Sequence, residues 1–588
     1  MEFIKNMEIK QLSHYMNQVK IIKPKNHKNK IRIAFVGSFT LNGFEETIQV
    51  QCNDEKINCI TYNSPYNQFN QEILNENSDL YKFKPDIIFL LIDNRTILED
   101  LFYFSNINSE DEKKKYAAKK FNEIKNLIEI VTKKIQSKVV ITNFTIPTYT
   151  SLGIYDSKTE YGIKEVILEL NRKLKILSKN IDSCYVYDFN SFVTKFGEKN
   201  VLDYKKMHYG DIKINFDIIP YLIYEFLGYV KPILGLNKKC IVLDLDNTLW
   251  GNIIGEDGFE GIKIGPYPEG RSFVEFQKVI KSLSDNGIIL AINSKNNQKD
   301  AMKAINEHPH MILREKDFSC IKINWNDKIS NMKEISNELN IGLDSIVFFD
   351  DDPVNRELLR MSIPEINTIE LPEDPSIYAQ ILRNLNDFNT LKITKDDTER
   401  KIMYGQEQNR QKLESSTENL NEYLKKLDIK IKIKLDDKIT ISRISQLILK
   451  TNQFNLTTKR YPEEQIKEFV EDETMIVGCS EVEDKFGENG ITNVFIIKIK
   501  SNEWVIDTFL LSCRVMGRGI EEGILGKILE IAKSKGIEKI TATFIPTEKN
   551  KPAENFLKNY GFEKEKENWI FLLKNEIKIP DYLEVELK

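Results

Sequence analysis

Histidine is scarce in this chain: five in 588 residues, and none beside the acidic motifs described below. A histidine-centred acid/base or metal site is disfavoured, and carboxylates become the candidates for proton transfer. Paired cysteines are also lacking. The seven lie scattered at Cys52, Cys59, Cys184, Cys240, Cys320, Cys479 and Cys513, odd in number and without metal-ligand spacing. That pattern excludes a disulfide scaffold and a zinc module and fits a reducing cytoplasm. Net charge is nearly absent, with 84 basic against 89 acidic side chains giving −5. No broad basic field therefore draws in nucleic acid. No apolar run reaches the length of a membrane span; the longest, near residues 218–234, is broken by Glu225 and Lys231. The first thirty residues are charged throughout and hold no signal-peptide core. Internal repeats and low-complexity tracts are missing too. What is present is an ordinary globular composition, 41% hydrophobic and 29% charged, in a length suited to about three or four domains.

Residues 1–28 read as a short amphipathic lead-in ending in the basic stretch KPKNHKNKIR, a solvated linker. From Ile31 the pattern alternates strand and helix. IRIAFVGSF, PDIIFLLI, KVVITNF and CYVYDF are apolar strand runs, and KKFNEIKNLIEIVTKKI has helical period. Apolar strands separated by helices predict a parallel sheet covered on both faces, over 29–232. KCIVLDLDNTLWG opens a second α/β unit over 233–385, with strands predicted at IILAIN, HMILRE and SIVFF. Residues 386–428 are polar and helix-prone, a helical connector. A third, α+β domain over 429–588 begins with the helix TISRISQLILKTN. A meander, a glycine-rich turn, a long helix, the strand KITATFIP and a last helix follow.

The strongest chemical signal is DLDNT, which puts Asp244 and Asp246 where an apolar strand gives way to a loop. Carboxyl ends of parallel strands are where α/β sheets build sites, and two carboxylates there suit Mg²⁺. Ser294 ends the next strand. Lys328 opens a helix behind Asn326 and Asp327, which are plausible caps. Asp350, Asp351 and Asp352 end the strand SIVFF. This ordered set resembles the haloacid-dehalogenase superfamily of phosphotransferases. The resemblance implies Asp244 as the nucleophile that takes phosphate and Asp246 as acid and base. Ser294 and Lys328 would hold phosphoryl oxygens, and Asp350 and Asp351, with Asp244 and Asp246, would form the Mg²⁺ site. The alternative is a loop-capping acid cluster with no metal. The stretches after Trp250 and Ser294 are too short for a large cap domain, so the site is expected to be open, suiting a bulky substrate such as a group carried on a protein.

CRVMGRG, after a strand and before a helix, fits R-x-x-G-x-G: Arg514, Gly517 and Gly519. Glycines let backbone N–H groups face an anion. With NKPAENFLKNYGF downstream, this resembles the Gcn5-related N-acetyltransferase (GNAT) fold, whose loop holds the pyrophosphate of coenzyme A and positions the pantetheine arm. Cys513 is either a thiolate activated by a helix N-terminus or a buried small hydrophobe.

Taken together, VLDLDNTLWGNIIGEDG, INWNDK, FFDDDPVNRE, TNQFNLTTKRY, DTFLLSCRVMGRGIEE and FIPTEKNKPA resemble the FkbH-like family of glyceryltransferase/phosphatases, from about Ile31 to Phe562. The resemblance implies three domains: an SGNH-hydrolase-like parallel sheet, a haloacid-dehalogenase-like sheet without a large cap, and a GNAT-like α+β domain. It implies transfer of a glyceryl unit from 1,3-bisphosphoglycerate to the phosphopantetheine thiol of an acyl carrier protein, with loss of the phosphate, to supply polyketide-type biosynthesis. An aspartyl nucleophile attacking phosphorus moves phosphoryl, whereas acyl transfer attacks carbon. Phosphate removal is therefore assigned to Asp244. Carrier-arm docking, with a transient thioester at Cys513, is assigned to the third domain. Arg514, Gly517, Gly519, Asn452 and Asn455 are the arm contacts, with Gln453 beside them; such amides equally stabilise their own turns.

Two departures stand out. Asn293 precedes Ser294 where members of that family often carry cysteine, so no acyl thiol sits there. In the first domain Ser38 follows Gly37 directly, and His208 lies five positions after Asp203 where an SGNH hydrolase wants three, so that domain reads as non-catalytic. Three competing readings remain. A Mg²⁺-dependent phosphatase on a soluble phosphometabolite would release phosphate without a carrier. An acyl-CoA-dependent acyltransferase would survive loss of Asp244. A scaffold would bind a carrier without turnover.

Overall fold

The computed structural model describes residues 9–22, 27, 29–104, 109–393, 406, 410, 413–414, 416–417, 419–547 and 550–588. The chain divides into two compact units, Met7–Val230 and Lys231–Lys588.

The first unit is built on a five-stranded sheet of β1 (Asn29–Gly37), β2 (Ile57–Asn63), β3 (Ile87–Leu91), β4 (Lys138–Thr142) and β5 (Cys184–Tyr187). The order is β2-β1-β3-β4-β5, parallel throughout. β3 is buried along its whole length, which its unbroken apolar run requires. β2 is an addition to the four predicted strands. Its string INCITYN is only half-buried, an edge strand whose apolar signal is weak. The helix Glu110–Lys134 starts on a Ser109/Glu112 capping box and ends in lysines, matching its dipole.

In the second unit the first sheet comprises β6 (Cys240–Leu243), β7 (Ile289–Ser294), β8 (Cys320–Ile323), β9 (Ile346–Phe349) and β10 (Asn367–Ile369). Its order is β10-β9-β6-β7-β8, again all parallel. The chain leaves β6 toward β7 on one side and returns to β9 on the other. β6 is thus the topological switch point, and a crevice opens at its carboxyl end. HMILRE, predicted as a strand, is a loop. Met311 and Leu313 are buried, but Gln277 Oε1 accepts the Ile312 and Leu313 N–H groups at 2.9 and 3.1 Å in place of a neighbouring strand. The true strand follows at β8.

The second sheet of this unit has nine strands: β11 (Ile429–Leu435), β12 (Phe454–Asn455), β13 (Met475–Asp484), β14 (Gly487–Lys500), β15 (Glu503–Leu511), β16 (Lys539–Thr543), β17 (Glu563–Glu565), β18 (Asn568–Leu572) and β19 (Leu583–Leu587). The three-strand meander β13–β15 is antiparallel, while β15 and β16 run parallel. Much of the connector read at 386–428, and part of the lead-in, lie outside the described residues; the helix Leu420–Leu427 is described. Among the described residues no helix is long and apolar enough to cross a membrane. All seven cysteines are free thiols.

Candidate active site

Three of the four motifs meet at the carboxyl ends of β6, β7 and β9, because each strand places its last residue or the next one in the same crevice. Asp244 follows β6, Ser294 closes β7 and Asp350 follows β9. Lys328 arrives from the other side as the first residue of the helix Lys328–Glu338, whose N-cap Asp327 accepts the Ser330 N–H at 2.8 Å. The Lys328 ammonium lies 3.0 Å from Asp244 Oδ2 and 2.5 Å from Asp350 Oδ2. Asp244, Asp350 and Asp351 offer carboxylate oxygens that lie within 4.8 Å of one another.

One ammonium is set against three carboxylates. Burial pulls the Lys328 pKa down, but Asp244 and Asp350 outweigh it and hold the group above the ordinary lysine value. Burial, then the charge of Asp244, raises Asp350 despite Lys328. Burial, with Asp244 and Asp350, pushes Asp351 up to about 6. Such an uncompensated acidic set, close together and fed by rigid strand ends, fits a hard divalent cation that takes oxygen ligands.

Asp246 is not part of this group, although the spacing put it among the metal ligands. Its Oδ1 accepts the Trp250 indole N–H at 2.9 Å and the Ile254 N–H at 3.1 Å, and its Oδ2 accepts Asn296 Nδ2 at 2.8 Å. The side chain is held by three donors, one of which, Asn296, also contacts Ser294 Oγ at 3.3 Å, so Asp246 stays beside the crevice. Ser294 is 1% exposed, with its hydroxyl 3.3 Å from Asn296 Nδ2. Asp352 caps the helix Pro353–Ser362 by accepting the Val354 N–H at 2.9 Å.

Several residues that shape the crevice carry no motif. Arg356 donates to the carbonyls of Asp350 and Asp351 at 2.7 and 2.6 Å, pinning the acidic loop from beneath. Asn293 Nδ2 donates to the Lys328 carbonyl at 2.9 Å, and Asn331 bonds Asn293 in turn. Asn293 therefore anchors the helix that begins at Lys328. The nearest sequence signal was SKNN, an amide run directly after Ser294. No cap domain lies between the motifs among the described residues. The insert after Trp250 makes only the short helix Ile254–Gly261 and the bridge Gly251↔Lys263. Asp244 and Asp350 are nevertheless buried within the motif loops, deeper than an open site implies, while Asp351 keeps partial exposure.

The remaining candidates lie elsewhere. Cys513 begins a 3-10 turn, and the next α-helix, Ile520–Ser534, starts seven residues later. The Cys513 carbonyl accepts Asn340 Nδ2. Asn340 lies beyond the far end of the helix that begins at Lys328, a helix spanning about 16 Å. Cys513 and the acidic cluster thus sit at opposite ends of one rod. Arg514 Nε is 3.3 Å from Ser512 Oγ, and its carbonyl accepts Arg518. Gly517 and Gly519 are left-handed, as the turn requires. Asn452 accepts Arg460, which caps the carbonyls of Ile448 and Thr451 at a helix end. Asn455 is fully buried and holds its own turn, donating to Thr451 O and accepting the Thr457 and Thr458 N–H groups. Asn455 bonds its own turn as the turn-stabilising reading expects, whereas Asn452 bonds the Arg460 side chain.

In the first unit Ser38 follows β1, but its hydroxyl donates to Asp93 Oδ2 at 3.2 Å, and His208 is exposed on the helix Tyr204–Gly210. Asp93 also accepts Thr96 and pairs with Lys213. Burial raises the Asp93 carboxyl, but Lys213 outweighs it and holds the group below its usual value. The Ser38 hydroxyl thus donates its hydrogen bond to an ion-paired carboxylate rather than to His208.

Comparison with known proteins fits this geometry. Residues 32–231 match the family model described as FkbH, N-terminal domain. Together with the next likeness, this supports an FkbH-like family. The chain is 28% identical to the N-terminal part of a Bacteroides fragilis protein containing a phosphatase domain, solved in complex with Mg, at a TM-score of 0.60. That likeness covers 65% of this chain and all of the other. A Desulfovibrio desulfuricans structure described as a GNAT-family acetyltransferase matches 24% of this chain and 99% of its own, at 8% identity and TM-score 0.20. An acetyl xylan esterase matches 34% of this chain and 100% of its own, at 14% identity and TM-score 0.24. No curated protein matches the chain.

Proposed function

We propose that the Asp244 centre is a phosphatase working through an aspartyl phosphate. One observation carries this reading: two carboxylates two residues apart occupy opposite environments. Asp244 is ion-paired with Lys328 inside an acidic cluster. Asp246 lies outside that cluster and is held by neutral donors, Trp250, the Ile254 N–H and Asn296. Two carboxylates in unlike surroundings are how one site supplies both a nucleophile and an acid/base.

An Asp244 oxygen attacks phosphorus and the bond to the leaving oxygen breaks, Asp246 giving that oxygen its proton. Water then attacks the aspartyl phosphate, Asp246 takes the water's proton, and inorganic phosphate leaves with Asp244 restored. Lys328 and Ser294 hold the phosphoryl oxygens while charge redistributes. Asp244, Asp350 and Asp351 are the residues that would hold Mg²⁺, which when bound supplies charge neutralisation for the phosphoryl group.

The substrate we infer is a phosphoglyceryl group derived from 1,3-bisphosphoglycerate and carried on the phosphopantetheine thiol of an acyl carrier protein. The product is a glyceryl thioester for polyketide-type assembly. The motif strings support this identity, and so does the FkbH match over residues 32–231. Intact-mass analysis of a holo carrier protein incubated with the enzyme, Mg²⁺ and 1,3-bisphosphoglycerate tests it. Wild type yields a glyceryl adduct, and Asp244→Asn accumulates the phosphoglyceryl adduct. No adduct on any carrier would sink the acyl-transfer half.

A second reading, a phosphatase on a soluble phosphometabolite, draws on the placement of Cys513 at the far end of the Lys328 helix. It expects phosphate release from the free metabolite with no carrier present.

A further inference from the structure

The resemblance of the C-terminal domain implies a coenzyme A pyrophosphate at the glycine turn 513–519 and a pantetheine arm leading away from it. An arm rich in secondary amides binds as an added strand, through an open sheet edge. The edge beside this turn belongs to β15. β16 covers it only from Glu503 to Ile506. Beyond that point β16 no longer pairs with it, and the edge from Phe509 to Leu511 would be free for a ligand.

It is taken by the chain itself. Phe454 and Asn455 pair with Leu511 and Leu510, and the Leu456 N–H donates to Phe509 O at 3.1 Å. On the opposite side the Ile545 N–H donates to Leu456 O at 2.8 Å, so residues 454–456 bridge the gap as a strand. Asn550, fully buried, locks the insert by donating to Asn455 O at 2.9 Å and Ile545 O at 3.0 Å. Phe454 packs edge-on to Phe556 at 5.2 Å between ring centres.

The turn is obstructed at Gly519, although the space over Gly517 is open. A Cβ on Gly519 would meet the Tyr582 hydroxyl, so the space over that glycine is filled. Glu521 and Glu522 occupy the first helical turn after it, where a bound diphosphate would put its charge. The turn's Arg518 is spent inward on Asp484, which also pairs with Arg410. An acidic first helical turn, with Arg518 committed to Asp484, makes a poor cradle for an anion.

We infer that the C-terminal domain holds neither coenzyme A nor a phosphopantetheine arm, because residues 454–456 fill the strand edge and Tyr582 covers Gly519 in the turn. A carrier-borne substrate is therefore read elsewhere on the chain, and acyl-CoA chemistry at this turn is ruled against.

Hydrogen–deuterium exchange on the full chain tests this, with coenzyme A and 4′-phosphopantetheine as separate probes at millimolar concentration. The Leu456 and Ile545 amides exchange slowly in the free protein. Exchange over residues 509–523 changes by less than about twofold with either probe. Fast exchange at 454–456, or protection of 509–523 by either probe, overturns the inference. Retained phosphate release by the same preparation shows that the protein tested is folded.

Discussion

Lys328 and Asp244 form a buried ion pair, 3.0 Å between the ammonium and a carboxylate oxygen. In the proposed reaction the residue that holds the nucleophile in place is also the one that meets the incoming phosphate.

Replacing it separates the two tasks. Lys328→Met is expected to lower kcat/KM for phosphate release by about 10²–10³-fold, the cost of losing one pre-placed cation. It also leaves buried carboxylates without their ammonium, at about 3 kcal/mol of stability in metal-free protein. Melting curves in EDTA would show the loss, with partial recovery in Mg²⁺. An unchanged melt would mean the pair is not formed in solution.

The acidic cluster sets a pH dependence whose sign follows from Asp351. Its folded pKa of about 6 lies above the ordinary 3.8, so the carboxyl stabilises the fold when protonated. That contribution is present below its unfolded value and is lost as pH rises through about 6. Metal-free protein should therefore be more stable at about pH 5 than at about pH 7.5 as far as this group is concerned. Asp351→Asn narrows that difference by roughly 1 kcal/mol after allowance for solvent screening. Calorimetry of both proteins at both pH values checks it.

Metal binding competes with the same protons. The thermal upshift produced by Mg²⁺ is expected to be larger above about pH 7 than at about pH 5. Equal upshifts at the two values would remove Asp351 from the ligand set.

Asn296 is placed to aim Asp246, at 2.8 Å. Asn296→Ala should cut kcat about tenfold with KM little changed, since proton transfer rather than binding is disturbed. The melting temperature should hold. A rise in KM with kcat intact would instead make Asn296 a substrate contact.

In the first unit, Ser38→Ala should leave phosphate release unaltered. Lys213→Met should destabilise that unit by about 1–2 kcal/mol, because it leaves the half-buried Asp93 carboxylate without its ammonium. Loss of activity in Ser38→Ala would restore a catalytic serine to consideration.

Much of the architecture was legible because buried parallel strands leave long apolar runs. CIVL, IVFF and IIFLL each became a strand with no exposed position. Edge elements were not: β2 is half-buried and β10 has three residues, too few for a periodic signal. HMILRE misled because burial alone does not make a strand when Gln277 can satisfy the backbone. At the crevice, the acidic residues and Lys328 stood out by position. The orientation of Asp246 did not, since it depends on Asn296, fifty residues away in sequence, and on an indole N–H. The glycine turn looked open in sequence because nothing near CRVMGRG announces Tyr582 or the strand at 454–456, which arrive from far along the chain.

The ratio of one ammonium to three clustered carboxylates dictates an order of events. A bare crevice of this charge repels a phosphate ester, and Lys328 is already committed to Asp244 and Asp350. Substrate and free phosphate therefore enter only after the carboxylates are neutralised, so the kinetics should be compulsory-ordered, with the activating cation first. Tetrahedral inhibitors such as vanadate should be silent in EDTA and potent once it is overcome.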